Sequence, residues 1–371
     1  MKATRLLRRP RVLIVGCGDV GLRCARQLLA RAAPPRVIAL TTRADRAGQL
    51  RACGLTPIRG DLDAPRSLRR LTGLAPIVLH LAPPPSHGAD DPRTQALIAA
   101  LGARVRRRAA RPSTPGTYRR RRAAGDWSAR RFAAPHIGAQ RPTANGAFST
   151  QIGRIVTEPP WTPEGRPRVR LVYASTTGVY GDCAGALIDE TRPVQPSNAR
   201  AKRRTAAERR LRQANARGIV AASIVRIPGI YARERLPLAR IEQAKPALVE
   251  EDDVYTNHIH ADDLATIMLR AAVRGRIGRV VHASDDTVLK MGDYFDRVAD
   301  AFGLARVPRI TRETAERTLD PMVLSFMRES RRLSNRRLKR ELRVTLRYPS
   351  VDDFLADASR APAAVAPTAK P

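Results

Sequence analysis

Aromatic residues are scarce in this chain, only 4% of 371 residues, so aliphatic side chains must fill its core. Acids are scarce too: 34 Asp+Glu face 68 Lys+Arg, a formal charge of +34. Lysine is nearly missing, since only Lys2, Lys202, Lys245, Lys290, Lys339 and Lys370 occur and every other basic residue is Arg. There is no apolar run approaching the roughly 18 residues of a membrane span, which excludes a helical transmembrane protein. The four cysteines, Cys17, Cys24, Cys53 and Cys183, have neither metal spacing nor a CxxC pair. A chain this long does not depend on disulfide staples, so a reducing cytoplasm is the expected location. The basic start is not a signal peptide, because its apolar run is only Val12 to Val15, short of the 7–15 residues such a segment requires.

What is present is a 43% hydrophobic composition, enough for a sizeable core and against wholesale disorder. The Arg excess accompanies high Ala and Pro, residues that share GC-rich codons, and reads mainly as compositional drift. The Arg runs carry few of the stacking aromatics that single-strand binding uses, so no specific nucleic-acid partner is expected. Polyanions should still be attracted non-specifically at low salt.

Apolar periodicity alternates along the chain. Strands are expected at 11–15, 37–42, 56–59 and 77–81, with helices at 19–31, 46–53 and 94–105 and a helical turn at 68–71. Further strands follow at 169–174 and 219–227, and a seventh at 280–283 returns to the sheet. Strands apolar on both faces that alternate with helices imply a doubly wound α/β fold with a parallel sheet. Residues 290–302 have helical spacing, and 331–343 alternate Arg with Leu as an amphipathic cover.

The division this implies is a first part of the sheet domain at 1–102, an insertion at 103–167, the rest of that domain at 168–230, a mixed lobe at 231–350 and a loose tail at 351–371. The insertion is dense in Arg, Pro and Gly, lacks an apolar period, and is expected to be disordered. Both tryptophans, Trp127 and Trp161, fall inside it.

The strongest chemical signal is Gly16-Cys17-Gly18-Asp19-Val20-Gly21, set between a buried strand and a helix. Gly16 permits a tight turn, Gly18 lets a pyrophosphate approach the backbone, and Gly21 lets helix and strand pack closely. The helix start offers free N–H groups and a positive dipole end to the phosphates. About 20 residues past the glycines, an acid would hold a ribose 2′-hydroxyl. Thr42 and Arg43 stand there instead, with Arg46 following. Arg and hydroxyl groups suit a 2′-phosphate, which favours NADP over NAD as the cofactor. No metal is expected.

Six motifs then occur in order: the glycine turn, GDLD at 60–63, HLAPPP at 80–85, YASTTGVYGD at 173–182, IVRIPGIYA at 224–232 and NHIHADDLA at 257–265. Together they resemble an extended or atypical short-chain dehydrogenase/reductase of the NAD(P)-dependent epimerase/dehydratase type, over most of the chain outside the insertion. SNRRLKRELRVTLRYPS at 334–350 resembles the closing segment of such proteins. The resemblance implies a Rossmann-type fold with a small C-terminal substrate lobe, and that Asp61 and Leu62 flank an adenine. It puts Leu81 and Ala82 beside the cofactor ribose and Pro228, Gly229 and Ile230 by the nicotinamide amide. Thr176 falls at the family's catalytic Ser/Thr, and His260 and Asp262 at a motif that shapes the pocket wall. A small-molecule substrate follows, and a homodimer is compatible.

Two departures stand out. Val15 occupies the first glycine of the GxxGxxG common among extended members, as in atypical ones. The family's Tyr-x-x-x-Lys is absent. Anchored on Thr205 to Glu208, its positions hold Arg200 and Arg204; a shifted register pairs Asn198 with Lys202. Arginine is a poor proton acceptor, since its pKa exceeds about 12, though it can polarise a carbonyl. The proton must then come from elsewhere: Tyr180, four residues past Thr176, is the candidate nearest in sequence, with Tyr231, His258 and His260 as others. Arg235 and Arg240, near Lys245, suit an anionic or sugar-nucleotide substrate. An oxidoreductase or epimerase with a rearranged proton donor is the leading reading. A non-catalytic NADP-binding sensor is the alternative, and a nucleic-acid-associated protein rests on charge alone.

Overall fold

Strand β1 (Arg11–Val15) is buried on both faces after its first residue, which is the pattern of an inner parallel strand. In the computed structural model, which describes residues 9–109 and 169–360, six strands join it in one sheet. They are β2 (Arg36–Thr41), β3 (Thr56–Arg59), β4 (Ile77–His80), β5 (Val169–Thr176), β6 (Val220–Ile227) and β7 (Val280–His282). The order across the sheet is β7-β6-β5-β4-β1-β2-β3, and every neighbouring pair is parallel.

The period of two sends alternate side chains of β1 into different cores. Val12 and Ile14 join one, with Cys24, Leu28, Leu264 and Met268. Leu13 and Val15 join the other, with Leu97, Leu171 and Leu211. The first core lies under helices α1 (Asp19–Leu29) and α5 (Ala261–Arg274). The second lies under α3 (Pro92–Ala109) and α4 (Ala199–Ala216). Helix α2 (Arg46–Ala52) links β2 to β3. Helices α1 and α5 meet directly: Cys24 Sγ lies 3.8 Å from the Ala265 carbonyl and Gln27 donates to the Asp262 carbonyl at 2.9 Å.

A third core fills the lobe beyond β6. Tyr231, Tyr294, Phe295 and Val298 pack with Phe354 and Leu355. It joins α6 (Met291–Phe302) to α7 (Val351–Arg360). This corrects the expected loose tail from residue 351: Val351, Phe354, Leu355 and Ala358 form a buried helical stripe that anchors its first ten residues.

Two other expectations change. Helix α3 runs through Ala109, past the expected start of the insertion at 103, and the remainder of that insertion, with both tryptophans, lies outside the described residues. The amphipathic pattern of 331–343 makes only a six-residue helix, Arg336–Glu341. Ahead of it, Arg332 and Leu333 pair in parallel with Leu187 and Ile188 instead of joining the helix. All four cysteines are free, three of them buried. Among the described residues, no helix is long and apolar enough to cross a membrane, and no three His, Cys, Asp or Glu residues gather as a metal site.

Candidate active site

Because the sheet is parallel, the carboxyl ends of all its strands share one edge. The chain leaves β1 toward β2 and β3, then returns on the other side as β4. That reversal opens a crevice between the ends of β1 and β4, the place where open α/β sheets bind ligands.

The glycine turn lies at this crevice. Gly16 adopts φ +87°, and a β-carbon there would sit 2.3 Å from the Ala82 amide nitrogen. Gly16 therefore lets the β1 turn touch the backbone at the end of β4. At Gly21 a β-carbon would meet the Gly16 carbonyl at 3.0 Å and the Ile14 side chain at 3.3 Å, so its missing side chain sets the spacing of α1 to β1. Gly18 differs: a β-carbon there would meet nothing within 4 Å. The space over Gly18 is open beside the start of α1, whose first N–H groups have no intrahelical acceptor. Those groups include the amides of Asp19, Val20 and Gly21.

The Asp19 carboxylate is neutralised from two sides. Arg23 binds it at 2.8 Å and Arg235 at 3.0 Å. Arg23 also pairs with Asp262 and Glu234, which ties α1 to α5 and to the helical turn Arg233–Arg235. A negative charge at a helix start would repel a phosphate, and these two guanidinium groups cancel that repulsion.

At the end of β2, Thr42 and Arg43 are exposed. Arg43 pairs with Asp45, which holds that carboxyl below its usual range. Arg46 reaches back to the carbonyl of Cys17 at 3.2 Å, inside the glycine turn. Past β3, the Asp61 carboxylate accepts from the Asp63 amide at 2.9 Å, while Leu62 is buried against the core. Leu81 and Ala82 are half-buried at the end of β4, and the Leu81 amide donates to the Val15 carbonyl at 2.8 Å. All of these expected cofactor residues lie along the one carboxyl edge.

Beside them opens a cavity of about 500 Å³ whose lining includes Thr176, Arg200, Arg204, Pro228, Gly229 and Ile230. The Thr176 Oγ1 accepts from the Gly178 amide at 3.3 Å, which leaves its proton to donate. Of the two registers left open on α4, one places both Arg200 and Arg204 on the cavity, whereas the other places Asn198 on it and Lys202 in a separate surface cleft. Arg204 donates to the Ala174 carbonyl at 2.6 Å and to the Tyr173 hydroxyl at 3.2 Å. The Arg200 guanidinium stacks 4.7 Å from the centre of the Phe326 ring.

Tyr180 is withdrawn from the site, a correction to its expected role as proton donor. Its hydroxyl is 2.5 Å from His282 Nε2 and accepts from Arg226 at 2.6 Å, and the residue is 1% exposed. Arg226 in turn pairs with Glu208 at 2.7 Å, both buried. Burial raises the Tyr180 hydroxyl to about 12, so it is held as a neutral structural bridge. His260 and Asp262 also lie off the cavity lining. His260 Nδ1 caps α5 by accepting from the Asp262 amide at 3.3 Å, and its ring packs on Tyr348 and Phe354. Arg235 lines the cavity. Arg240 instead covers Phe295, 4.9 Å from the ring centre, and donates to the Pro246 carbonyl.

The structure brings in two residues that sequence reasoning did not single out, Tyr294 and Glu329, which line the cavity; His258, one of the expected alternative proton sources, lines it too, from the strand His258–His260. The His258 and Tyr294 rings stack at 4.3 Å. Burial lowers His258 to about 4, so its imidazole is neutral. Behind them Asp285 is buried beside the Tyr231 hydroxyl, and burial raises its carboxyl to about 7. The burial of Tyr294 and the nearby Asp285 raise the phenol above its usual range. Tyr231, although it lines the cavity, turns its hydroxyl to the Ser350 carbonyl at 3.4 Å. The spacing of 291, 295, 298 and 302 marks α6 as apolar but does not single out Tyr294.

Residues 162–283 match the model of the NAD dependent epimerase/dehydratase family, and residues 12–76 match that of the TrkA-N domain. No curated protein matches. Among solved structures, a conserved protein of unknown function from Silicibacter pomeroyi is 24% identical, with 94% of this chain and 98% of that one covered and a TM-score of 0.65. A dTDP-glucose 4,6-dehydratase from Streptomyces venezuelae, solved with NAD bound, is 19% identical over 94% of this chain and 96% of its own, at a TM-score of 0.63. A UDP-N-acetylglucosamine 4-epimerase from Bacillus cereus is 12% identical over 94% and 98%, at a TM-score of 0.61.

Proposed function

We propose, from the premise that this chain carries an NAD dependent epimerase/dehydratase family domain, that it is an NAD(P)-dependent oxidoreductase or epimerase. Its substrate would be a small carbonyl compound or sugar nucleotide held in the cavity beside Thr176. The observation that carries this reading is the open space over Gly18 at the start of α1, framed by the close contact of Gly16 with Ala82. A dinucleotide pyrophosphate fits that space, against the amides of Asp19, Val20 and Gly21. Asp61 and Leu62 would then flank the adenine, Leu81 and Ala82 the ribose, and Pro228, Gly229 and Ile230 the nicotinamide amide. Thr42, Arg43 and Arg46 favour a 2′-phosphate, and hence NADP.

A bound nicotinamide supplies or accepts hydride. The chain's own part is to orient the substrate oxygen and manage its charge and proton. Thr176 would donate a hydrogen bond to that oxygen. Arg204, braced on Ala174, would stabilise negative charge developing there. Tyr294, a cavity tyrosine stacked on neutral His258 with Asp285 nearby, would be a candidate to move a proton. A phenol raised above its ordinary range acts as a donor and not as a base.

A second reading, a non-catalytic NADP-binding regulatory protein, is favoured by the presence of Arg200 and Arg204 where the family's Tyr and Lys stand. Fluorescence titration with NADPH and NADH, followed by a turnover screen on aldehydes, ketones and sugar nucleotides, tests both. Saturable NADPH binding with turnover supports the enzyme, and binding without turnover supports the regulator. Absence of binding by either dinucleotide removes both.

A further inference from the structure

We propose that Arg200 and Arg204 form a receptor for an anionic, acceptor-only group, a carboxylate or phosphate, carried by the substrate close to its reacting carbon. This rests on the cavity being the substrate site. The two arginines stand four residues apart on α4, so they project from one side of the helix, and both line the cavity. Neither pairs with a carboxylate among the described residues. Arg204 uses one nitrogen on the Ala174 carbonyl and the Tyr173 hydroxyl, which fixes its fork while leaving the other nitrogens for a ligand. Arg200 sits over Phe326, its guanidinium carbon 4.7 Å from the ring centre, a contact that uses none of its N–H donors.

The remaining polar lining sharpens the choice. Glu329 is the only carboxylate lining the cavity among the described residues, and its charge is already used. One oxygen accepts from Ser197 at 2.6 Å and from Asn198 at 3.2 Å, and the other pairs with Arg331 at 3.0 Å. Thr176 contributes a donor, as its oxygen already accepts from the Gly178 amide. The wall near Thr176 therefore offers donors and two uncompensated positive charges. A neutral carbonyl satisfies one donor and leaves the charges unmatched, whereas a carboxylate beside that carbonyl meets two guanidinium forks at once. A phosphate offers the same acceptor chemistry.

The test is calorimetry on the full-length protein with oxamate, an isostere of a 2-oxo acid, with its neutral counterpart oxamide and with inorganic phosphate. Because the chain carries a formal +34, the control is Arg209→Gln, on an exposed face of α4 away from the cavity. We expect saturable binding of oxamate or phosphate and none of oxamide. Arg200→Gln should weaken it about tenfold, Arg204→Lys should weaken it as well, and Arg209→Gln should leave it unchanged. Tighter oxamate assigns a carboxylate, and tighter phosphate a phosphate. Equal binding of oxamide, equal weakening by Arg209→Gln, or no saturation by either anion overturns the proposal. An NADPH titration on the same samples separates the two readings. Anion binding without NADPH binding leaves the receptor standing and removes the oxidoreductase, while NADPH binding without anion binding removes the receptor alone.

Discussion

Gly16 and Ala82 meet so closely that a β-carbon on Gly16 would lie 2.3 Å from the Ala82 amide nitrogen. That contact joins the ends of β1 and β4 and fixes the floor of the crevice. Gly18, two residues on, has open space where its side chain would be. The two glycines should therefore fail in different ways. Gly16→Ala forces a positive φ on an L-residue and drives a methyl into backbone, so its melting temperature should fall sharply. Gly18→Ala should melt as the parent does but lose dinucleotide affinity, read by fluorescence titration.

Tyr180 is a buried bridge between Arg226 and His282 and does not line the cavity beside Thr176. Tyr180→Phe should cost about 1–3 kcal/mol of stability by leaving buried partners unsatisfied, with NADPH affinity unchanged. Glu208→Leu should cost more, about 3–5 kcal/mol, because it strands the buried Arg226 charge. Denaturant titration gives both values. A Tyr180→Phe protein that keeps full stability would contradict the bridging role.

Cofactor choice should reside at the end of β2. Arg43→Ala and Arg46→Ala should each lower NADPH affinity, together by about tenfold or more, and leave NADH nearly unaffected. A parallel loss for both dinucleotides would place the arginines on the shared pyrophosphate and not on a 2′-phosphate. Competition titrations with the two reduced cofactors distinguish these outcomes.

Stability should fall as the protein is acidified below about pH 6.5. Burial takes His80 and His282 from 6.5 to about 3 and His258 to about 4. Between those values and 6.5 the unfolded chain binds protons that the native one refuses, so acid favours unfolding. Asp285 acts in the opposite sense. Burial raises it from 3.8 to about 7, so its favourable contribution is full at low pH and is lost as pH rises through 7. His260 is also lowered to about 4, while burial raises Glu190, Asp253 and Asp263 in the same sense as Asp285. The four histidines start from 6.5 and are together displaced furthest, so the melting temperature should drop between pH 6.5 and pH 4. Asp285→Asn should raise the melting temperature more at pH 8 than at pH 5, a difference that melts at the two pH values report.

Much of the first half of the sheet is legible because its signals are local. A buried strand, a glycine turn and an amphipathic helix occupy residues 11–29 consecutively, and each constrains the next by chain geometry alone. The parallel order follows from the same alternation, since a strand connected through a helix returns in parallel. The lobe is less legible. Val351 to Arg360 reads as the start of a tail until Phe354 and Leu355 find Tyr231 and Phe295 in a shared core.

The sequence by itself determined the parallel sheet and the glycine turn, because spacing within about 20 residues expresses both. Only the tertiary structure decided which groups face the cavity. Helix α4 is rich in Ala and Arg and shows almost no apolar stripe, so its pattern cannot say whether Arg204 or Lys202 turns inward; packing against β5 and β6 does. Tyr180 looks available until Arg226 and His282, 46 and 102 residues away along the chain, take its hydroxyl. A side chain's chemistry is local, but its partners are chosen by contacts that chain order does not express.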